Sequence, residues 1–239
     1  MKNQFTMKKV LSLSLVVLMG LLIFTAATPK KKKKAKVFKG KITYALTYEG
    51  DGLTDIEKSK LPKTVTEKVM GTMSCVEMVN GPLIITQIQR PDDHVEIVMI
   101  ELMDKKGGLT KHDTSTVDTS AFYTTEIEYS EDTKVVALYE CKKAVVTFTP
   151  KEGADAEEQT LVVYYCPELG GAELNPDGHY KGIPGRLLEF YDVNPKITTK
   201  YTATEIKKGG VNELVDFYFH SDFKEFKTPE ELDAYFRGE

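Results

Sequence analysis

Val37-Phe38-Lys39-Gly40-Lys41-Ile42-Thr43-Tyr44-Ala45-Leu46-Thr47-Tyr48 places Phe38, Gly40, Ile42, Tyr44, Leu46 and Tyr48 at every second position, with Lys39, Lys41, Thr43 and Thr47 between them. A period of two is the mark of a β-strand with one buried and one wet face. Gly50-Asp51-Gly52 ends the run. Similar stretches follow at Val65–Met70, Thr72–Met78, Leu83–Gln89 and Val95–Leu102, parted by Gly71, Asn80-Gly81-Pro82 and Pro91-Asp92-Asp93. Thr124–Tyr129, Lys134–Glu140, Ala144–Phe148, Leu161–Tyr165, Arg186–Tyr191, Ile197–Ile206 and Glu213–His220 read the same way. About ten to twelve short strands with turn punctuation predict a mainly β protein, built on a single curved antiparallel sheet or half-barrel. No long amphipathic helix separates the strands, which argues against a βαβ fold.

Helical turns are few. Thr54–Lys60 reads as one, stopped by the restriction that Pro62 places on Leu61. One short helix is expected at the C-terminus, from Pro229 to about Arg237. Thr228 suits its N-cap, Pro229 its first position and Glu231 a capping box, while Leu232, Tyr235 and Phe236 form one apolar face.

Ahead of the first strand the composition changes. Lys2, Lys8 and Lys9 precede an apolar run from Val10 to Phe24, and Thr25-Ala26-Ala27 offers small residues for cleavage. Residues 1–27 thus have the layout of a cleaved signal peptide, with too short a run for the ~20 residues of a membrane span. The alternative is an uncleaved N-terminal anchor, which Lys30–Lys34 would favour by staying on the cytoplasmic side. Residues 28–36 form a polybasic tether, and residues 37–239 a single β-rich domain. The expected location is periplasmic or otherwise extracytoplasmic. The tether is either a spacer or a peripheral contact with anionic membrane through Lys30–Lys34.

Charge excludes one class of partner. Residues 28–239 hold 29 bases and 36 acids; without Lys30–Lys34 and Lys36 the body holds 23 bases against 36 acids, a net of −13. Such a surface repels phosphate backbones, so nucleic acid is not an expected partner. Hydrophobic residues at 41% and charged residues at 28% argue against both disorder and a polytopic membrane protein.

Candidate chemistry is sparse. His94, His112, His179 and His220 are dispersed without metal-ligand spacing, and there is no nucleophile elbow or phosphate loop. No metal, cofactor or catalytic residue is assigned, and an enzyme is not expected. The three cysteines leave at least one thiol unpaired within a monomer. If Phe148 faces Gln159 across a hairpin, constant register sets Cys141 opposite Cys166, and a disulfide there is expected, worth ~3 kcal/mol. Cys75 would be left free or intermolecular.

Ile183-Pro184-Gly185-Arg186 reads as a type II turn, with Pro184 at its second position and Gly185 at the position needing positive φ. Gly182-Ile183-Pro184-Gly185-Arg186-Leu187 resembles the Gly-Leu-Pro-Gly-Leu-Ile signature of the GLPGLI family, with Ile183, Arg186 and Leu187 departing from it. Tyr139-Glu140-Cys141-Lys142-Lys143-Ala144, Gly40-Lys41-Ile42-Thr43-Tyr44 and Asp222-Phe223-Lys224-Glu225-Phe226 are similar to that family's outline. The resemblance implies an exported β-rich protein, similar in shape to outer-membrane lipoprotein carriers, and implies no catalytic residue.

Two functions are compatible with these features. One is a binding module whose curved sheet holds an apolar or lipid-like ligand, with Met70, Met73, Met78 and Met99 on successive strands as an adaptable lining. The other is a cell-envelope structural or protein-interaction module with no small ligand. The same methionines could also simply fill a core.

Overall fold

The computed structural model describes residues 38–50, 52–112, 122–154, 157–175, 178–193, 195 and 197–238, so the expected signal peptide (residues 1–27) and the expected tether (residues 28–36) lie outside the described residues. The strands are β1 Lys39–Glu49, β2 Thr64–Met70, β3 Met73–Asn80, β4 Leu83–Arg90, β5 Val95–Leu102, β6 Lys105–His112, β7 Tyr123–Val136, β8 Tyr139–Pro150, β9 Gln159–Cys166, β10 Arg186–Val193, β11 Thr198–Lys208 and β12 Lys224–Phe226. Three α-helices, α1 Asp55–Ser59, α2 Glu213–Asp216 and α3 Pro229–Arg237, and 3-10 turns at Pro91–Asp93, Pro167–Leu169, Ala172–Leu174 and Gly178–Tyr180 are the other described elements.

All 12 strands join one sheet in the order β12-β6-β5-β4-β3-β2-β1-β11-β10-β9-β8-β7. Pairing is antiparallel throughout except that β12 runs parallel to β6. The sheet stays open, with β7 and β12 as its edges. It curls across its middle, so that Glu67 of β2 meets Arg186 of β10 although β1 and β11 lie between them.

Alternation sets the burial. Gly40, Ile42, Tyr44 and Leu46 of β1 face the interior, joined there by Val65 and Val69 of β2, Phe148 of β8, Leu187 of β10 and Tyr201 of β11. The β3–β6 end is packed on both faces, as successive residues of a strand demand. Leu232 and Phe236 of α3 cover Leu83, Ile85, Val98, Ile100 and Leu109 on one side. Val211 and Phe217 cover Cys75, Ile88, Ile97 and Met99 on the other. Each such buried aromatic or leucine stabilises the fold by about 1.5–3 kcal/mol.

Several expectations change. Glu213–His220 is not a strand. Asn212 caps a helical turn there, its side chain accepting from Leu214 N at 3.1 Å, and leaves Leu214 and Val215 exposed while Phe217 is buried. Lys134–Glu140 is split by a tight turn at Ala137-Leu138, both with positive φ, into the end of β7 and the start of β8. Strands β6 and β12 carry no apolar alternation and are additions to the predicted set. The terminal helix has its expected bounds, and Thr228 Oγ1 accepts from Glu231 N at 3.2 Å. The Glu231 carboxylate, however, takes its bond from Lys227 N, one residue before the N-cap.

Candidate functional site

The predicted methionine lining divides in two. Met70 and Met73 form the last pair of the β2–β3 ladder, on either side of a turn in which Gly71 has φ 66°. Both are half-buried and open onto a cleft of about 500 Å³. Met78 is buried in the main core and Met99 beneath Phe217, so neither reaches that cleft. These two are core filling for a plain reason: each sits mid-strand under another layer, whereas a turn leaves Met70 and Met73 at the rim.

Four further chain segments join the β2–β3 turn in lining the cleft. Phe38, just before β1, lies beside the β2–β3 turn because Gly71 N donates to its carbonyl at 3.0 Å. Leu169, Gly170, Glu173 and Leu174 come from the short 3-10 turns that follow β9. Arg90, Asp92 and Asp93 come from the end of β4 and the 3-10 turn Pro91–Asp93. Glu213 opens α2. The lining is therefore apolar below, with Phe38, Met70, Met73, Leu169 and Leu174, and largely acidic around.

The polar members are held individually. Arg90 pairs with Asp93, and its guanidinium lies 4.0 Å from the centre of the Tyr218 ring. Thr72 Oγ1 donates to Asp92 at 3.0 Å, and Gly171 N donates to Glu173 at 2.8 Å. Behind this wall Lys68 pairs with Asp216 at 2.7 Å. Burial pushes the Asp216 carboxyl up, but bonds from Lys68 and Asn212 N outweigh it and hold the group below its usual range. That pair fixes α2, and so the position of Glu213.

The turn motif is structural. Gly182 has positive φ, at 84°, but Gly185 does not, so the expected type II turn is absent. Gly185 N instead donates to Ile183 O at 3.0 Å, closing a tighter turn centred on Pro184. Gly185 is required by contact rather than by conformation: a Cβ there would stand 2.8 Å from the Cys166 carbonyl. Asn175 Nδ2 donates to the carbonyls of Ile183 and Gly185, both at 2.8 Å, and locks the turn. The turn delivers Arg186 to the interior, where it meets Glu67.

The expected disulfide is not formed. The hairpin has the predicted register, with Phe148 opposite Gln159 and Lys142 opposite Tyr165, which brings Cys141 and Cys166 together at the next position. Both are free, buried thiols. The neighbouring Cys141 thiol holds the Cys166 thiol below its ordinary value, and Cys166 with burial pushes Cys141 up, while Cys141 Sγ donates to Tyr139 O at 3.5 Å. Cys75 is also free and buried, and burial pushes its thiol up to about 12.

His94 adjoins Val95, which pairs with His112 across the β5–β6 ladder, and the other two histidines are held elsewhere. His179 is buried against the rings of Tyr123 and Phe148, and His220 Nε2 lies 3.0 Å from Val215 O. Among the described residues no group of three or more His, Cys, Asp or Glu side chains is placed to hold a metal ion. No described helix is long and apolar enough to cross a membrane.

Arg90, Asp92, Asp93, Glu173 and Glu213 were absent from the residues expected in a site. Acids in turns look solvated in a sequence, and only the approach of the β9–β10 connection gives these a shared cleft. Met70-Gly71-Thr72-Met73 was the available signal, since a tight turn exposes the apolar pair flanking it.

No family model and no curated protein matches the chain. Among solved structures it is similar to PNGF-II in a P21 crystal form, with 13% identity, a TM-score of 0.43 and 84% of this chain covered. For PNGF-II in a C2 form the values are 12%, 0.37 and 83%. The chain spans 34% and 33% of the lengths of those two chains.

Proposed function

We propose that this is an exported, periplasmic β-rich protein that binds an apolar or lipid-like ligand, and that it is not an enzyme. The observation that supports the reading is the cleft of about 500 Å³ floored by Phe38, Met70, Met73, Leu169 and Leu174. Its size falls in the range of small-molecule sites, and thioethers on flexible stems adapt to irregular apolar shapes. The GLPGLI resemblance and the signal-peptide layout of residues 1–27 support export. Lys30–Lys34 then tethers the domain near anionic headgroups. The test is native mass spectrometry of the mature protein purified from its own envelope, followed by organic extraction. A stoichiometric apolar mass is expected, lost in Met70→Asp; a clean apo mass overturns the proposal.

The envelope-module reading draws on a different feature. The outer edge of β7 is unpaired among the described residues, and Tyr129, Val135 and Leu138 are exposed along it and at its hairpin tip. Unpaired strand edges accept strands from partners. Crosslinking from a photoreactive group at residue 138 in intact envelopes would support this reading by trapping one discrete partner.

A further inference from the structure

We infer that Met70, Met73 and Cys75 form a site at the β2–β3 turn for one soft monovalent cation, Cu(I) by the chemistry of its donors, entered from the cleft. The inference goes beyond the apolar-ligand reading and does not depend on it.

Three sulfurs share one face of the sheet. Met70 and Met73 are directly opposite each other in the β2–β3 ladder, so their side chains leave it on the same side. Cys75 follows Met73 by two residues and leaves on that side too. It stands diagonal to Met70, a separation that long side chains span. Both methionines pack against the cluster that holds Cys75. The turn is fixed from outside: Gly71 N donates to Phe38 O at 3.0 Å, and Thr72 Oγ1 to Asp92 at 3.0 Å. The thioethers are half-buried and open onto the cleft, whereas Cys75 is 2% exposed. An ion entering by the cleft meets the two thioethers first and the thiol last.

Donor type selects the ion. Zinc takes thiolate, imidazole and carboxylate ligands, and two of these three donors are thioethers. Soft sulfur donors suit Cu(I). On binding, the Cys75 S–H proton passes to solvent as the S–Cu bond forms, so copper stays Cu(I) and no electron moves. Burial opposes ionisation of that thiol, and Lys68, opposite it across the ladder, favours it. Cys75 is a free thiol, and the other two cysteines lie in a different cluster, so they do not compete for the same ion from nearby.

The test uses the full mature chain, reduced and oxygen-free, labelled with ¹³C at the methionine methyls and titrated with Cu(I) supplied as its acetonitrile complex. One equivalent is expected to shift the Met70 and Met73 methyls together, while Met78 in the main core and the exposed lone thioether of Met103 stay in place. Zinc should move none of them. Met70→Leu/Met73→Leu and Cys75→Ser should each weaken copper binding about tenfold or more, read by competition with bicinchoninate. Leucine conserves volume, so the cleft keeps its apolar floor and the apolar-ligand reading stands or falls by its own test. Copper uptake that leaves both methyls unmoved puts the ion on other thiols and overturns the site. Equal affinity in the parent and the leucine pair, or no uptake at all, overturns it as well.

Discussion

Arg186 Nη1 stands 3.0 Å from Glu67 Oε1, and both side chains are only 3% exposed. The pair joins β10 to β2 across the concave interior, and the Tyr44 hydroxyl lies between Glu67 Oε2 at 3.2 Å and the Leu187 carbonyl at 3.1 Å. Burial, followed by the nearby Glu67 charge, pushes the Tyr44 phenol well above its usual range, so it remains protonated. A buried pair gains little over a well-packed apolar pair, but removing one partner strands a charge. Arg186→Met should therefore cost about 3–5 kcal/mol, while Glu67→Met/Arg186→Met should recover most of that loss. Urea denaturation midpoints of the two single variants and the double variant check this. An additive double variant would show that the pair is not coupled.

Two glycines of the same motif should fail for different reasons. At Gly182 a Cβ meets nothing within 4 Å but must adopt φ 84°, whereas at Gly185 it would strike the Cys166 backbone at 2.8 Å. Gly182→Ala should cost about 1 kcal/mol, the ordinary penalty of a left-handed residue. Gly185→Ala should cost more, because backbone on both sides has to shift, and should disturb the β9–β10 register. Thermal denaturation ranks the two. Amide exchange at Cys166–Leu169 reports whether the second change spreads into the neighbouring turn.

Cys141 and Cys166 are free thiols brought together by the β8–β9 register, and an oxidant that reaches them is expected to link them. Thiol–disulfide exchange with oxidised glutathione would form the Cys141–Cys166 bond, reduce the glutathione disulfide to two thiols and remove two hydrogens from the protein. Both thiols are buried, so exchange should be slow in the folded state and fast in mild denaturant. Cys75, buried apart from them in another cluster, should remain alkylatable after unfolding. Peptide mapping of the glutathione-treated protein should show one 141–166 linkage. Persistent free thiols at both positions under denaturing oxidation would rule the closure out.

Most strands were legible because their burial follows from neighbours in sequence. From Phe38 to Leu102 alternation locates β1 and β2, and apolar runs between turn residues locate β3 to β5, of which β4 and β5 are buried on both faces. Lys105-Lys106-Gly107-Gly108 gives no such signal, because its missing apolar bulk is supplied from far away. A Cβ at Gly107 would meet Leu232 and Phe226, both at 2.9 Å, and one at Gly108 would meet Phe219 at 2.9 Å. The stretch 213–220 alternates enough to read as a strand, yet Asn212 and the Lys68–Asp216 pair stabilise a helical turn instead. The cleft was legible only through Met70 and Met73. Its acids became a set when the chain after β9 crossed the sheet end, a relation between distant segments that no local pattern carries.

The last prediction concerns Asp192, near the end of β10. It is buried, and burial alone pushes its carboxyl up to about 7. Its surroundings are phenolic: its charge acts on Tyr180 and Tyr201, and the Tyr201 hydroxyl is itself buried without a hydrogen-bond partner. An unfolded aspartate titrates near 3.9, so the folded state binds this proton more tightly. The associated stability is fully present below about pH 4, declines as the unfolded state ionises first, and is lost once pH passes about 7. Asp216 and Glu189, whose carboxyls are held below their usual range by lysine partners despite burial, act oppositely and lose stability in acid. The contribution of Asp192 is therefore isolated by difference. Asp192→Asn keeps the shape and removes the ionisation, so its advantage over the parent should grow between pH 4 and 7 and then level off. Melting temperatures of both proteins across pH 4–9 measure that difference. A constant offset would mean that Asp192 finds a charged or hydrogen-bonded partner in solution and is not held neutral by burial.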